Sequence, residues 1–182
     1  MSMRPILVMA GGTGGHVYPA LAVARALQAH SREVVWLGTH RGLESRVVPE
    51  AGIDIEWISI KGLRRKGVLA ILIAPLQIGW ALLQSLSVIL RRRPAAVLGM
   101  GGFVSGPGGV AAWLTRRPLV IHEQNAAAGM TNRLLARLAR VVLQAFPGSF
   151  ISDVGVETVG YPVREDIAAV AAPHELSLIH IS

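Results

Sequence analysis

The stretch Ala10-Gly11-Gly12-Thr13-Gly14-Gly15-His16 constrains this chain more than any other. Before it lies Ile6-Leu7-Val8-Met9, an apolar run with the length of a buried strand. After it, Pro19 to Leu27 carries apolar residues at the 3–4 spacing of a helix packed on a sheet. Strand, glycine turn and helix together make an anion site. Glycines let the backbone approach a phosphate, and the helix start offers free N–H groups at the positive end of its dipole. The same four glycines would also serve a tight turn, so the motif needs support from elsewhere in the chain.

That support comes from a recurring alternation. Glu33–Gly38, Ile53–Ile58, Ala95–Leu98, Leu119–Ile121, Val141–Leu143 and Val156–Val159 read as further strands. Leu43–Val48, Val104–Leu114 and Thr131–Leu138 read as helices between them. Strands alternating with helices predict an α/β fold: a Rossmann-like, mostly parallel sheet with helices on both faces. A dinucleotide site is disfavoured, because Val17 stands where the third glycine belongs and Gly38-Thr39 where the ribose-binding acid belongs. The lysine and hydroxyl residue of an ATPase loop are missing too.

A second glycine loop, Gly99 to Gly109, follows the fourth strand. Loops at the carboxyl ends of neighbouring parallel strands share one crevice, where ligands bind. His122-Glu123-Gln124-Asn125 follows the next strand at the same edge and adds polar side chains there. His122 and Glu123 fit either direct ligand contact or a satisfied pair that positions the loop.

Composition narrows the partners. Among 182 residues, 18 are basic and 11 acidic, a net charge of +7, which suits phosphorylated ligands or an anionic membrane. Aromatic residues make up 5%, with no basic segment interleaved with stacking residues, so nucleic acid is not an expected partner. The absence of cysteine excludes disulfides, thiolate metal sites and cysteine nucleophiles. Met1-Ser2-Met3-Arg4 leads directly into the first strand, leaving no room for a signal peptide and predicting a cytoplasmic protein.

Five motifs in order, GGTGGH at 11–16, GMGGFVSGPGG at 99–109, HEQN at 122–125, AFPG at 145–148 and VGYPVR at 159–164, give a resemblance from about Met3 to Asp166. The chain resembles the MurG family, the N-acetylglucosaminyltransferases of glycosyltransferase family 28 that complete lipid II. Tyr161 stands where many relatives have Asn. The resemblance implies the N-terminal half of a two-domain GT-B fold, with residues 1–166 as the acceptor-binding domain. It also implies inverting transfer of GlcNAc from UDP-GlcNAc to the muramoyl 4-hydroxyl of undecaprenyl-pyrophosphate lipid I. Carried over by motif, Thr13, Gly14, Gly15, Asn125 and Arg164 contact the donor. Gly11, Gly12, Gly101, Gly102, Ser105 and Gly106 cradle the acceptor diphosphate. His16, at a helix start that favours the neutral imidazole, is the first candidate for the base, and Glu123 the second. No Asp-x-Asp pair is present, so no catalytic metal and no cofactor are expected.

Val68 to Leu90 holds no charge in 23 residues and is flanked by Arg64-Arg65-Lys66 and Arg91-Arg92-Arg93. Three readings are open: a helix and turn packed on the sheet, a patch dipping into the membrane, or a span. Leu69, Ile73, Leu76 and Trp80 share one helical face and are the candidates for insertion at an anionic cytoplasmic membrane surface, or for domain core. Residues 167–182 read as a truncated linker and a tail unlike the family's continuation. The donor domain is then expected to be absent and the chain inactive by itself. Two other functions fit less of the pattern: a non-catalytic lipid-diphosphate-binding module, and a GT-B transferase with a soluble acceptor.

Overall fold

The computed structural model describes residues 4–60, 68–150 and 155–162, with side chains in the long helix from residue 73 onward. The strands are β1 (Ile6–Met9), β2 (Val34–Gly38), β3 (Asp54–Trp57), β4 (Ala96–Gly99), β5 (Leu119–Glu123), β6 (Val141–Gln144) and β7 (Val156–Thr158). The helices are α1 (Gly14–Ala29), α2 (Glu44–Glu50), α3 (Val68–Arg92), α4 (Ser105–Leu114) and α5 (Met130–Leu135). All seven strands pair in parallel in the order β3-β2-β1-β4-β5-β6-β7. The chain reverses its direction of travel across the sheet between β1 and β4. That point is the switch where open α/β sheets bind ligands.

Side-chain parity builds two cores. Leu7 and Met9 of β1 face a layer with Ala81, Val88 and Ile89 of α3 and Ala111 and Ala112 of α4. Val8 and Ala10 face the opposite layer, with Val17, Ala20 and Ala24 of α1 and Val48 of α2. Both faces are covered, which is why β2 is buried at every position. Trp36 fills the α1 side, and its indole N–H donates to the Ala10 carbonyl at 2.9 Å.

Two boundary expectations change. α2 ends at Glu50, between Pro49 and Gly52 as expected, but Pro75 lies inside α3, which runs from Val68 to Arg92 without a turn. A proline in a helix loses one backbone bond. In α3 the packing of the long apolar face outweighs that loss. α5 ends at Leu135 rather than Leu138, because the Leu138 and Ala139 amides both turn back to the Leu135 carbonyl.

α3 is long and apolar enough to cross a membrane. In the fold it lies along the domain, burying Ala74, Ala81, Ser85, Val88 and Ile89. Arg91 and Arg92 at its C-terminal end pair with Glu56, at 2.5 and 2.6 Å, and Arg92 also with Asp54. One face of the helix is therefore packed into the domain. Ile73, Leu76, Trp80, Leu83 and Leu90 point away from the core, Leu76 with 75% exposure. Ile89→Ala is expected to cost about 3 kcal/mol through lost burial and a residual cavity. Leu90→Ala, one residue away on the outer face, should cost under about 0.5 kcal/mol. Urea unfolding of the two variants checks this assignment of faces.

Candidate functional site

At the switch point the first glycine loop leaves β1 and the second leaves β4, and they touch backbone to backbone. A Cβ on Gly102, whose φ is +84°, would stand 2.3 Å from the Gly11 carbonyl oxygen. A Cβ on Gly101, φ +95°, would stand 2.6 Å from Nδ1 of His16. Both positions require glycine twice over, for the left-handed conformation and for the approach. The later glycines of the second motif do different work. Gly108 lets α4 settle on Met9 of the sheet and Gly109 lets it meet Leu135 of α5.

Glu44 of α2 holds the first loop from beneath. Its carboxylate accepts from the Gly12 amide at 2.9 Å, the Thr39 amide at 3.0 Å and the Thr39 hydroxyl at 2.8 Å, and it is fully buried. The acid missing from the end of β2 is thus supplied by the next helix, but turned under the loop. Nothing in the local pattern of residues 43–48 marked it, because the contact spans 32 positions.

The amides of Gly14 and Gly15 lie in the first turn of α1 and have no helical carbonyl before them. Thr13 is the exposed N-cap residue, and its side chain makes no cap bond. Gly12, expected to bind the acceptor diphosphate, has its amide occupied by Glu44. Gly11 is buried over the same carboxylate. Ser105, expected in the same role, is buried and its hydroxyl donates to the Gly101 and Met9 carbonyls, at 2.8 and 3.1 Å. Gly106 lies in α4 beside Thr131 and lines an apolar cavity of about 230 Å³ with Phe103, Ile78 and Leu134. These four residues build the loops and the wall; Gly101 is buried and Gly102 partly exposed.

The HEQN segment splits by strand parity. Glu123 turns toward α5. Its Oε1 accepts from the Asn125 amide and side chain, and its Oε2 from the Gly129 amide and Asn132 side chain, all at 2.8–3.0 Å. Burial alone would raise its pKa; these four donors outweigh that and hold the carboxyl below its ordinary value. With 1% exposure and both oxygens occupied, Glu123 is a loop clamp and is not placed to take a substrate proton. His122 and Gln124 turn to the α1 side. Gln124 Oε1 lies 3.1 Å from His16 Nδ1, and Gln124 Nε2 lies 3.2 Å from His122 Nδ1. Asn125 is exposed at the rim, its side-chain amide donating to Glu123. Among the described residues no three His, Cys, Asp or Glu side chains stand together as a metal site.

The glycosyltransferase family 28 N-terminal domain matches residues 6–144. The chain belongs to glycosyltransferase family 28. This family 28 chain is 60% identical over 169 residues to the UDP-N-acetylglucosamine–N-acetylmuramyl-(pentapeptide) pyrophosphoryl-undecaprenol N-acetylglucosamine transferase of Alkalilimnicola ehrlichii. That match covers 93% of this chain and 47% of the relative. The crystal structure of Acinetobacter baumannii MurG superposes with a TM-score of 0.75 at 43% identity, over 86% of this chain and 45% of that one. A UDP-N-acetylglucosamine 2-epimerase structure from Listeria monocytogenes shares the fold, with a TM-score of 0.61 at 16% identity, covering 82% of this chain and 41% of the epimerase. The chain spans about half the length of the curated relatives it matches.

Arg164 and the side chain of Leu69 lie outside the described residues, as does the basic stretch 61–67. Ile73, Leu76 and Trp80 are exposed, which removes the reading that placed them in the core. Phe103, Met130 and Leu134 are exposed too, and line the cavity that holds Ile78 of α3. Of the basic rim expected around the exposed face of α3, Arg91 and Arg92 are engaged by the carboxylates of β3.

Two outcomes follow from this geometry. Gly102→Ala is expected to lose about 3 kcal/mol or more, since backbone opposes the new methyl. Gly12→Ala, with φ +93° and open space around it, should lose only about 1–2 kcal/mol of left-handed strain. Chemical denaturation compares them. Glu123→Gln should remove a pH-dependent increment of stability. The increment is fully present above the ordinary carboxylate value of 4.5 and disappears as pH falls through the depressed folded value. The difference in unfolding free energy between parent and variant, followed from pH 7 downward, measures it.

Proposed function

We propose that this chain is the acceptor-binding half of an inverting N-acetylglucosaminyltransferase that moves GlcNAc from UDP-GlcNAc to the muramoyl 4-hydroxyl of lipid I, giving lipid II. The observation that carries the reading is the contact of two glycine loops at the β1–β4 switch, with His16 lying against it. A site made of backbone amides and a helix start suits diphosphates, and the acceptor and donor each carry one. Thr13, Gly14, Gly15 and Asn125, with Arg164, serve the donor side, and the backbone of Gly101 and Gly102 serves the lipid diphosphate. Much of the donor grip belongs to the other half of the full-length protein, because relatives are about twice as long.

Inversion needs one in-line displacement. His16 takes the proton of the 4-hydroxyl as that oxygen bonds the anomeric carbon. The bond from that carbon to the UDP oxygen breaks, and UDP leaves with the electron pair. Glu123 does not compete for the role; it holds the loop on which Asn125 sits. The apolar outer face of α3 rests on the cytoplasmic leaflet of the membrane, where an undecaprenyl acceptor resides.

The 182-residue chain is expected to bind a short-chain lipid I analogue and to show no GlcNAc transfer by itself. Joined to the second half of the A. ehrlichii relative, residues 1–166 should support transfer, and His16→Ala should lower kcat by about 100-fold or more. Binding of anionic vesicles should weaken in Leu76→Glu and Trp80→Glu. Lipid I binding without transfer in the chimera would favour a non-catalytic module, and indifference to vesicles would favour a soluble acceptor. Transfer unaffected by His16→Ala would reject His16 as the base.

A further inference from the structure

We propose that Gln124 is a positioning residue that fixes His16 as its Nδ1–H tautomer and leaves Nε2 as the bare, proton-accepting nitrogen. Four hydrogen bonds form a chain whose direction is set at one end by two main-chain carbonyls. His122 Nε2 lies 3.1 Å from the Gly160 carbonyl, which can only accept, so the proton of that ring is on Nε2. His122 is 3% exposed, and its burial keeps the imidazole neutral below the ordinary histidine value. Its Nδ1 is therefore bare and accepts from Gln124 Nε2 at 3.2 Å. The same Gln124 nitrogen donates to the His122 main-chain carbonyl at 3.0 Å.

That carbonyl decides which way the Gln124 amide faces. Rotated by half a turn, the amide would set its oxygen against the His122 carbonyl oxygen, two acceptors with no proton between them. The oxygen Oε1 must therefore face His16 Nδ1, 3.1 Å away, and an oxygen that only accepts demands a proton on that nitrogen. Gln124 is itself 3% exposed, so water does not offer an alternative partner. The second glycine loop closes over the Nδ1 edge of His16 at Gly101. In the neutral ring Nε2 then carries the lone pair, outside the hydrogen bond that holds Nδ1.

The use of that lone pair rests on the reading of His16 as the base. The 4-hydroxyl proton moves to Nε2, and the positive imidazolium keeps its Nδ1–H on the Gln124 oxygen. An amide partner orients the ring without placing a second negative charge beside two diphosphates. The sequence motif placed Gln124 among the polar residues of the crevice, but strand parity and the fold supply its link to a residue 108 positions away.

Nitrogen-15 correlation spectra of the histidine rings in the 182-residue chain, taken where the imidazoles are neutral, test the assignment directly. The expected result is Nδ1–H for His16 and Nε2–H for His122. In Gln124→Met, His16 should become a mixture of tautomers while His122 stays Nε2–H. In Gln124→Glu a carboxylate oxygen again accepts, and the His16 Nδ1–H form should return. His16 found as Nε2–H in the parent chain overturns the proposal, and so does an unchanged His16 in a folded Gln124→Met. If that variant does not fold, the parent spectrum decides alone. In the chimera, Gln124→Met should lower kcat by about tenfold or more with KM unchanged, by analogy with the loss of an outer partner of a metal-bound histidine. Correct tautomers with no transfer would reject the functional reading and leave the positioning role standing.

Discussion

The backbone contact between Gly102 and Gly11 is the constraint on which the site depends. It joins the loops after β1 and β4, the two strands between which the sheet changes direction. Any side chain at position 102 would separate those loops, and Gly101 would then no longer lie over the His16 ring. The crevice is thus made by the absence of side chains, while its chemistry comes from residues held around it.

Those residues are held by buried acids that do no chemistry themselves. Glu44 anchors the first loop through the Gly12 amide, and Glu123 anchors the loop after β5 through the Asn125 and Gly129 amides. A buried carboxylate is costly unless it is fully hydrogen-bonded, and these two satisfy that condition with three and four donors. Each loop is thereby pinned in one conformation. His16 is the polar ring in the first turn of α1, held through Nδ1 by Gln124.

The division of labour on α3 follows a similar logic. One face supplies Ala81, Val88 and Ile89 to the core, and its last turn is locked to β3 by two arginines. The other face keeps an apolar stripe in the open. A helix with two apolar faces reads from composition as a membrane span, yet one face here has a protein partner. The ion pairs also withdraw two arginines from the positive rim that a sequence reading assigns to lipid.

Much of the fold was legible because its signals are local. Strand parity, helix spacing and glycine turns each act over fewer than a dozen residues, so the alternating order and the parallel α/β class follow from residues 4–162 alone. The five motifs placed the chain in its family for the same reason. The roles of single residues were less legible. Ser105 and Gly12 look like phosphate ligands in a motif, but one hydroxyl turns to two carbonyls and one amide to Glu44. Glu123 and Gln124 are neighbours in sequence with opposite destinations, because successive residues of an extended chain point to opposite faces of the sheet. The sequence by itself determined the class of fold, the glycine loops and the apolar helix. Only the tertiary structure decided which polar atoms are already satisfied, since the partners that settle Gly12, Ser105 and His16 lie 32, 96 and 108 positions away and meet only when the sheet is assembled.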